Sequence, residues 1–245
     1  MNKINVLVPM AGLGSRFLTR GFTKPKPMID VNGTPMIIKA IKSLGVENAN
    51  YLFVVTENEF TKYITEEISK LVPAKFISID YLTEGPACSA LLFESQINND
   101  DELIIANCDQ IMEWDPAVFL LNVRLFDGAV VTYHENTDKN SYATVNSSGI
   151  VTSIKEKQVV SNISLNGIHY WKKGKYFVES SKEMIKQDDR APNGEFYVGP
   201  SYNHMIKKGL KVGIYHIPNQ MHHAVGIPED LEKYINYEKG KNEFL

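Results

Sequence analysis

Residues 4–27 read INVLVPMAGLGSRFLTRGFTKPKP. The opening INVLV is an unbroken apolar run rich in branched side chains. It predicts a strand buried on both faces, as in a parallel sheet. From Pro9 the character reverses: two glycines, four basic residues (Arg16, Arg20, Lys24 and Lys26) and no acid. In open α/β sheets, ligands bind beyond the carboxyl ends of the strands, and this loop sits at such an end. Gly12 and Gly14 would let backbone N–H groups approach a phosphate closely. Arg16, a two-pronged donor, and Lys26, a point charge, suit a triphosphate. A dinucleotide fingerprint, G-x-G-x-x-G, fails because its third position is Phe17. A Walker loop fails for want of Gly-Lys-Ser/Thr. A merely solvated basic loop is the remaining alternative.

Working outward, PMIIKAIKSL (35–44) places apolar residues at helical spacing behind a proline. YLFVVT (51–56) predicts a second buried strand. Phe60, Tyr63, Ile64, Ile68 and Leu71 line one face of a helix. AKFISID (74–80) and ELIIAN (102–107) predict two more strands, with a helix over 86–97 between them. This alternation predicts an α/β fold with a mostly parallel sheet and right-handed crossovers. After residue 127 the rhythm changes. GAVVTYH (128–134) is a strand, YATVNSSGIVTSIKEK (142–157) a hairpin about Ser-Ser-Gly, and ISLNGIHYW (163–171) is extended. Two helices, a strand at LKVGIYHI (210–217) and the segment IPEDLEKYINYEKG complete the chain. No low-complexity linker separates the halves. The expectation is one domain over 1–245, with nucleotide binding in 1–127 and acceptor binding in a smaller β-rich region, 128–245.

The chain has 245 residues, long enough to bury a full core without staples. Its net charge of −3 gives no global basic field, so nucleic acid is not expected as a partner. Cys88 and Cys108 form no framework and no CxxC, and suit a reducing compartment. The apolar run at the N-terminus is too short for a signal sequence. No stretch approaches 18 apolar residues, so neither export nor a membrane is expected. A cytoplasmic protein is the expectation.

Two further loops follow predicted strand ends. TEGPACSA (83–90) puts Gly85 at a strand-to-helix junction. A glycine there permits a base or ribose to lie against the backbone; a plain helix start with Pro86 at its first position explains it equally well. IIANCDQ (104–110) ends a buried strand at Asp109. A carboxylate so placed is sited to hold Mg²⁺ against phosphates, although a turn aspartate is the bland alternative. Cys108 reads as a small buried residue rather than a reactive thiol.

PMAGLGSRF…TKPKPMIDVNGTPMI (9–37) resembles the nucleotidyltransferases that activate sugar phosphates and related phosphorylated acceptors. The resemblance continues through EGPACSAL and NCDQ, and more weakly through YATVNSSGIVTSIKEK, NGIHYW and GIPEDLEKY. It implies a Rossmann-like, three-layer fold of the glycosyltransferase-A type. It implies that Met10, Ala11, Gly12, Leu13, Gly14 and Ser15, with Arg16, hold the triphosphate, and that Lys26 bridges phosphates and stabilises charge at the α-phosphorus. Gly85, Pro86 and Ala87 would flank base and ribose, with Asn107 and Cys108 bordering the nucleotide. Asp109 would bind Mg²⁺. Glu156, Lys157, Asn166 and Gly167 would line the acceptor pocket.

One departure stands out. Family members carry an aspartate, a second metal ligand, where HHAVGIPEDL has Ala224. Either Asp109 anchors the metal with phosphates and water, or His222, His223 or Glu195 substitutes. Imidazole is not a preferred Mg²⁺ ligand. The short chain is most similar to capsule-associated cytidylyltransferases, which implies CTP as the nucleotide and a phosphorylated small molecule, such as L-glutamine phosphate, as the acceptor. A sugar-1-phosphate nucleotidyltransferase using UTP or another NTP is an alternative. A glycosyltransferase is disfavoured because Asp109-Gln110-Ile111 lacks a second aspartate. A binding module that has lost catalysis is kept open by Ala224.

Overall fold

The computed structural model describes residues 3–242. Its strands are β1 (Ile4–Pro9), β2 (Asp30–Val31), β3 (Thr34–Pro35), β4 (Ala49–Thr56), β5 (Ala74–Ile79), β6 (Glu102–Ala106), β7 (Gln110–Met112), β8 (Gly128–His134), β9 (Ser141–Val145), β10 (Val151–Glu156), β11 (Ile163–Trp171), β12 (Val212–His216) and β13 (His222–Ala224). Its helices are α1 (Ser15–Leu18), α2 (Met36–Leu44), α3 (Thr61–Leu71), α4 (Pro86–Leu91), α5 (Glu94–Ile97), α6 (Pro116–Val123), α7 (Gly174–Lys186), α8 (Ser201–Lys207) and α9 (Pro228–Asn242). None is long and apolar enough to cross a membrane, among the described residues.

One nine-stranded sheet runs through both halves of the chain. The strands β6, β1, β4 and β5 are parallel and adjacent in that order. Next to β6, β11 joins antiparallel and continues the sheet to β8, which pairs in parallel with β12. The β9–β10 hairpin attaches to β11 through Ser164 and Tyr142. The apolar runs divide residue by residue between two cores. Val6, Val8, Phe53, Ile104 and Tyr170 face one side, with Ile37 and Ile41 of α2, Ile68 of α3 and Phe119 of α6. Leu7, Leu52, Val54, Ile105 and Trp171 face the other, with Ala87 and Ala90 of α4, Phe177 of α7 and Tyr202 of α8. Both faces of the sheet are covered, which is why β1, β4 and β6 read as continuous rather than alternating apolar runs. Arg124 and the Tyr170 hydroxyl both donate to Glu102, fastening β6 to β11 and α6.

The helix expected over 86–97 is two. After Leu91 the bonds from Leu92 N–H to Ser89 and from Phe93 N–H to Ala90 close three residues back, a tightened turn. It drives Phe93 into the core at 1% exposure before α5 begins. Pro35 likewise stands before α2, at its N-cap, rather than inside it. A third, smaller core lies below the loop at the end of β1. It joins Phe17 of α1, Val31, Met36, Ile111, Val225, Leu231 and Tyr234. Phe17, the residue that spoils the dinucleotide fingerprint, is the side chain that anchors the glycine loop.

Candidate active site

The loop after β1, the turn between β6 and β7 and the segment after β13 converge at one point. Lys26 Nζ is ion-paired to Asp109 Oδ2. Burial alone would pull the Lys26 ammonium down, but the charge and hydrogen bond of Asp109 outweigh it and hold the ammonium above its ordinary value. Gly14 adopts a left-handed φ of 61°, and a Cβ there would lie 2.9 Å from Lys26 Cβ, so the glycine loop packs directly on the lysine. From the other side, β13 pairs antiparallel with β7, setting Ala224 opposite Gln110. Val225 N–H donates to the Asp109 carbonyl at 2.9 Å. A Cβ on Gly226 would fall 2.2 Å from Asp109 Oδ2 and 3.4 Å from Lys26 Nζ. Gly226 therefore borders the charged pair as closely as backbone can. Gly226 opens the stretch GIPEDLEKY that carries part of the resemblance, but its place beside the charged pair arises from the β7–β13 ribbon, two strands of three residues each.

The other triphosphate candidates divide. Gly12, Leu13, Ser15 and Arg16 are exposed, and Arg16 makes no ion pair among the described residues. Met10 and Ala11 are buried, Met10 giving its N–H to Val54 in β4. Gly85 has a reason other than a ligand: with φ at 135°, a Cβ there would meet the backbone of Phe196 at 2.5 Å. Phe196 N–H donates to Glu84 and Ala87 N–H donates to Phe196, stitching the α4 start to the 196 segment. Ala87 is fully buried and its N–H is committed to Phe196. Cys108 is also core, its thiol pushed up to about 11 chiefly by burial. Asn107 is exposed, and its side chain occupies the space that a Cβ on Gly167 would fill.

Beside this point opens an inner cleft of about 180 Å³ that brings together Pro86, Asn107, Glu156, Asn166, Gly167 and Ala224. It adjoins an outer cleft of about 460 Å³, with Tyr133, Lys139, Asn140, His222 and Ala224 common to both. Glu156, 6% exposed, accepts a hydrogen bond from the Ser141 hydroxyl. Burial raises its carboxyl above the usual range, against the opposing effects of Ser141 and Lys157. Lys157 turns its ammonium to the Tyr197 hydroxyl at 2.7 Å and over that ring at 4.9 Å. Asn166 spends its carbonyl on Ile168 N–H at 3.0 Å within an irregular stretch of β11, so it shapes the cleft wall. His169 also lines the cleft, which the sequence did not suggest.

The donor set at Asp109 fits a divalent cation of the Mg²⁺ kind as a single carboxylate. Such a cation commonly takes one or two carboxylates and completes its shell with phosphate oxygens and water. Among the described residues no group of three or more His, Cys, Asp or Glu is placed to hold a metal. The histidines are engaged elsewhere. His222 Nε2 meets Gln110 Oε1 at 2.5 Å, and burial pushes its imidazole down to about 4. His223 Nε2 meets Glu113 Oε1 at 3.2 Å.

Comparison with known proteins agrees with this architecture. The 2-aminoethylphosphonate cytidylyltransferase of Lancefieldella rimae is 38% identical over 73 residues, and the match covers 29% of either chain. The nucleoside-diphosphate-sugar pyrophosphorylase of Vibrio cholerae RC9 superposes with a TM-score of 0.83 at 21% identity, covering 94% of this chain and 99% of its own. The inositol-1-phosphate CTP transferase from T. maritima superposes with a TM-score of 0.73 at 15% identity, covering 96% and 97%. The nucleotidyl transferase family model matches residues 6–203, well over half of the sequence, and the chain accordingly belongs to that family of nucleotide-transferring enzymes.

Proposed function

We propose that the protein is a cytidylyltransferase that transfers CMP from CTP to a small phosphorylated or phosphonylated acceptor, with release of pyrophosphate. The observation that carries this reading is the meeting of Lys26 Nζ, Asp109 Oδ2 and the Gly226 backbone beneath the glycine loop. CTP is favoured because the curated relative is a cytidylyltransferase by name. Sequence resemblance adds L-glutamine phosphate as a candidate acceptor and surface-polysaccharide precursor synthesis in the cytoplasm as the setting. The whole chain acts as one unit, residues 1–127 taking the nucleotide and 128–245 shaping the acceptor site.

An anionic oxygen of the acceptor attacks the α-phosphorus of CTP. The new P–O bond forms as the bond from the α-phosphorus to the bridging oxygen breaks, and the electron pair leaves with pyrophosphate. The nucleophile is already ionised, so no side chain has to take its proton. The protein's contribution is position and charge. Backbone N–H groups of 11–14 and the Arg16 guanidinium hold the triphosphate, while Lys26 neutralises charge developing at the α-phosphorus. Mg²⁺, held by Asp109, supplies Lewis-acid charge to the phosphate oxygens when bound. Glu156, Asn166 and Gly167 border the acceptor.

The test is pyrophosphate release from CTP, UTP, ATP and GTP against L-glutamine phosphate, 2-aminoethylphosphonate and sugar 1-phosphates. Lys26→Ala and Asp109→Ala should each lower kcat by about 100-fold or more while the thermal transition persists. Near wild-type turnover in either variant overturns the role assigned to it.

A further inference from the structure

Glu156 is a buried carboxylate that makes no ion pair among the described residues, although the Lys157 charge acts on it. It is 6% exposed, lines the inner cleft, and has the neutral Ser141 hydroxyl as its hydrogen-bond partner. No ion pair to it forms among the described residues, because Lys157, its sequence neighbour, points its ammonium at Tyr197. Glu195 adds a second negative charge nearby and reinforces the raised Glu156 carboxyl. Lys139 also lines the cleft, but it is exposed and forms no ion pair with Glu156 among the described residues. His169 is held to about 3 by burial, is therefore neutral, and leaves its Nδ1 without a hydrogen-bond partner. Two aromatic rings, Tyr133 and Tyr197, complete this part of the cleft. A buried charge is costly unless paired, and aromatic faces attract cations. Neutral sugar hydroxyls would hydrogen-bond Glu156 but leave its charge uncompensated.

We propose that the inner cleft is an ammonium subsite: the acceptor is a phosphorylated or phosphonylated primary amine whose –NH₃⁺ pairs with Glu156 between the rings of Tyr133 and Tyr197. The acceptor's own anionic group faces the opposite end of the site, toward Lys26. The subsite gives the enzyme a means of refusing neutral hexose phosphates, which lack the cation. This inference rests on the cytidylyl-transfer reading and narrows its acceptor class.

The test separates the two. Binding of CTP with Mg²⁺ is first measured by calorimetry on the wild-type protein; absence of nucleotide binding overturns the function itself and the subsite with it. With CTP bound, matched acceptors that differ in the charge alone are compared by pyrophosphate release: 2-aminoethylphosphonate against its N-acetyl derivative, and O-phosphoethanolamine against N-acetyl-O-phosphoethanolamine. The expected preference in kcat/KM for the free amine is on the order of 10- to 100-fold, the size of a charge-assisted contact. In Glu156→Gln, which keeps the acceptor oxygen for Ser141, that preference should collapse through KM, with CTP affinity within about twofold of wild type. Equal use of amine and N-acetyl acceptors overturns the subsite while leaving cytidylyl transfer standing. So does turnover of glucose 1-phosphate with no turnover of either amine, or an undiminished preference in Glu156→Gln.

Discussion

Replacing Gly226 by alanine tests the assignment of the reacting point more sharply than removing either charge. Gly226 is not in the left-handed region, so alanine fits its backbone without strain. What alanine adds is one methyl group, 2.2 Å from Asp109 Oδ2 where ordinary contact begins at 3.4 Å. The carboxylate oxygen must retreat by roughly 1.2 Å, the difference between those distances. The obstructing atom is the far end of a side chain, so the carboxylate can rotate aside at little cost to folding. It cannot rotate aside and stay on Lys26. A misplacement of about 1 Å at a reacting group costs about 100-fold in rate, or about 2.7 kcal/mol in the barrier. Gly226→Ala should therefore lose about two orders of magnitude in kcat, measured by pyrophosphate release at saturating CTP. Its thermal transition should stay within a few degrees of wild type. A folded variant with kcat within about threefold of wild type would refute the reasoning, because Asp109 would then tolerate displacement that no metal ligand or phosphate contact tolerates.

Two other outcomes follow from the same geometry. Arg20 lies in the basic loop but is exposed and paired to Glu229 in α9, so Arg20→Ala should leave kcat/KM within about threefold of wild type, and a loss as deep as that of Lys26→Ala would overturn the ranking. The folded protein holds His169 at about 3 and His222 at about 4, both below the ordinary histidine value of 6.5, so below pH 6.5 the unfolded chain takes up protons that the folded chain refuses. Their contribution is complete above pH 6.5 and is lost as pH falls toward 4 and then 3, costing about 2 kcal/mol for His169 by pH 5. Urea unfolding at pH 7.5 and pH 5.0 should show this loss reduced by about that amount in His169→Gln, and an unchanged pH slope would refute it.

How much of this was legible in the sequence depended on whether the information was local. Strands announced themselves: INVLV, YLFVVT and ELIIAN became β1, β4 and β6 within two residues at either end, because their apolar side chains alternate between two cores. The change of rhythm after residue 127 marked the strands that extend the same sheet in antiparallel fashion. Lys26 and Asp109 stood out as a charge between prolines at the end of a basic loop and an acid after an apolar run, although nothing local said that they touch. Gly226 and His169 lie in the quoted stretches GIPEDLEKY and NGIHYW, but what each of them borders was not legible. The first matters through a strand pairing 110 residues apart in sequence, and the second through burial that strips an ordinary strand histidine of its charge. Gly85 reads from the sequence either as room for a base or ribose or as a plain helix start; in the fold its missing side chain also makes room for the Phe196 backbone. A glycine in a sequence reveals that something comes near; only the fold reveals what.

The four basic residues of the loop show why proximity decides among equal charges. Arg16 and Lys24 are exposed, where water reduces any interaction severalfold. Arg20 is exposed and its charge is already answered by Glu229. Lys26 is the one whose side chain is largely withdrawn from solvent, at 21% exposure, between Gly14 and Gly226. A positive charge in that position acts on a neighbouring phosphate through a medium of lower effective dielectric, so the same unit charge is worth several times more there. The same withdrawal would make an unpaired Lys26 costly, and Asp109 offsets that cost when no nucleotide is present. The ion pair thus keeps the ammonium protonated and aimed at the sheet edge. An exposed lysine could be held charged without help, but it would have far less to offer a triphosphate.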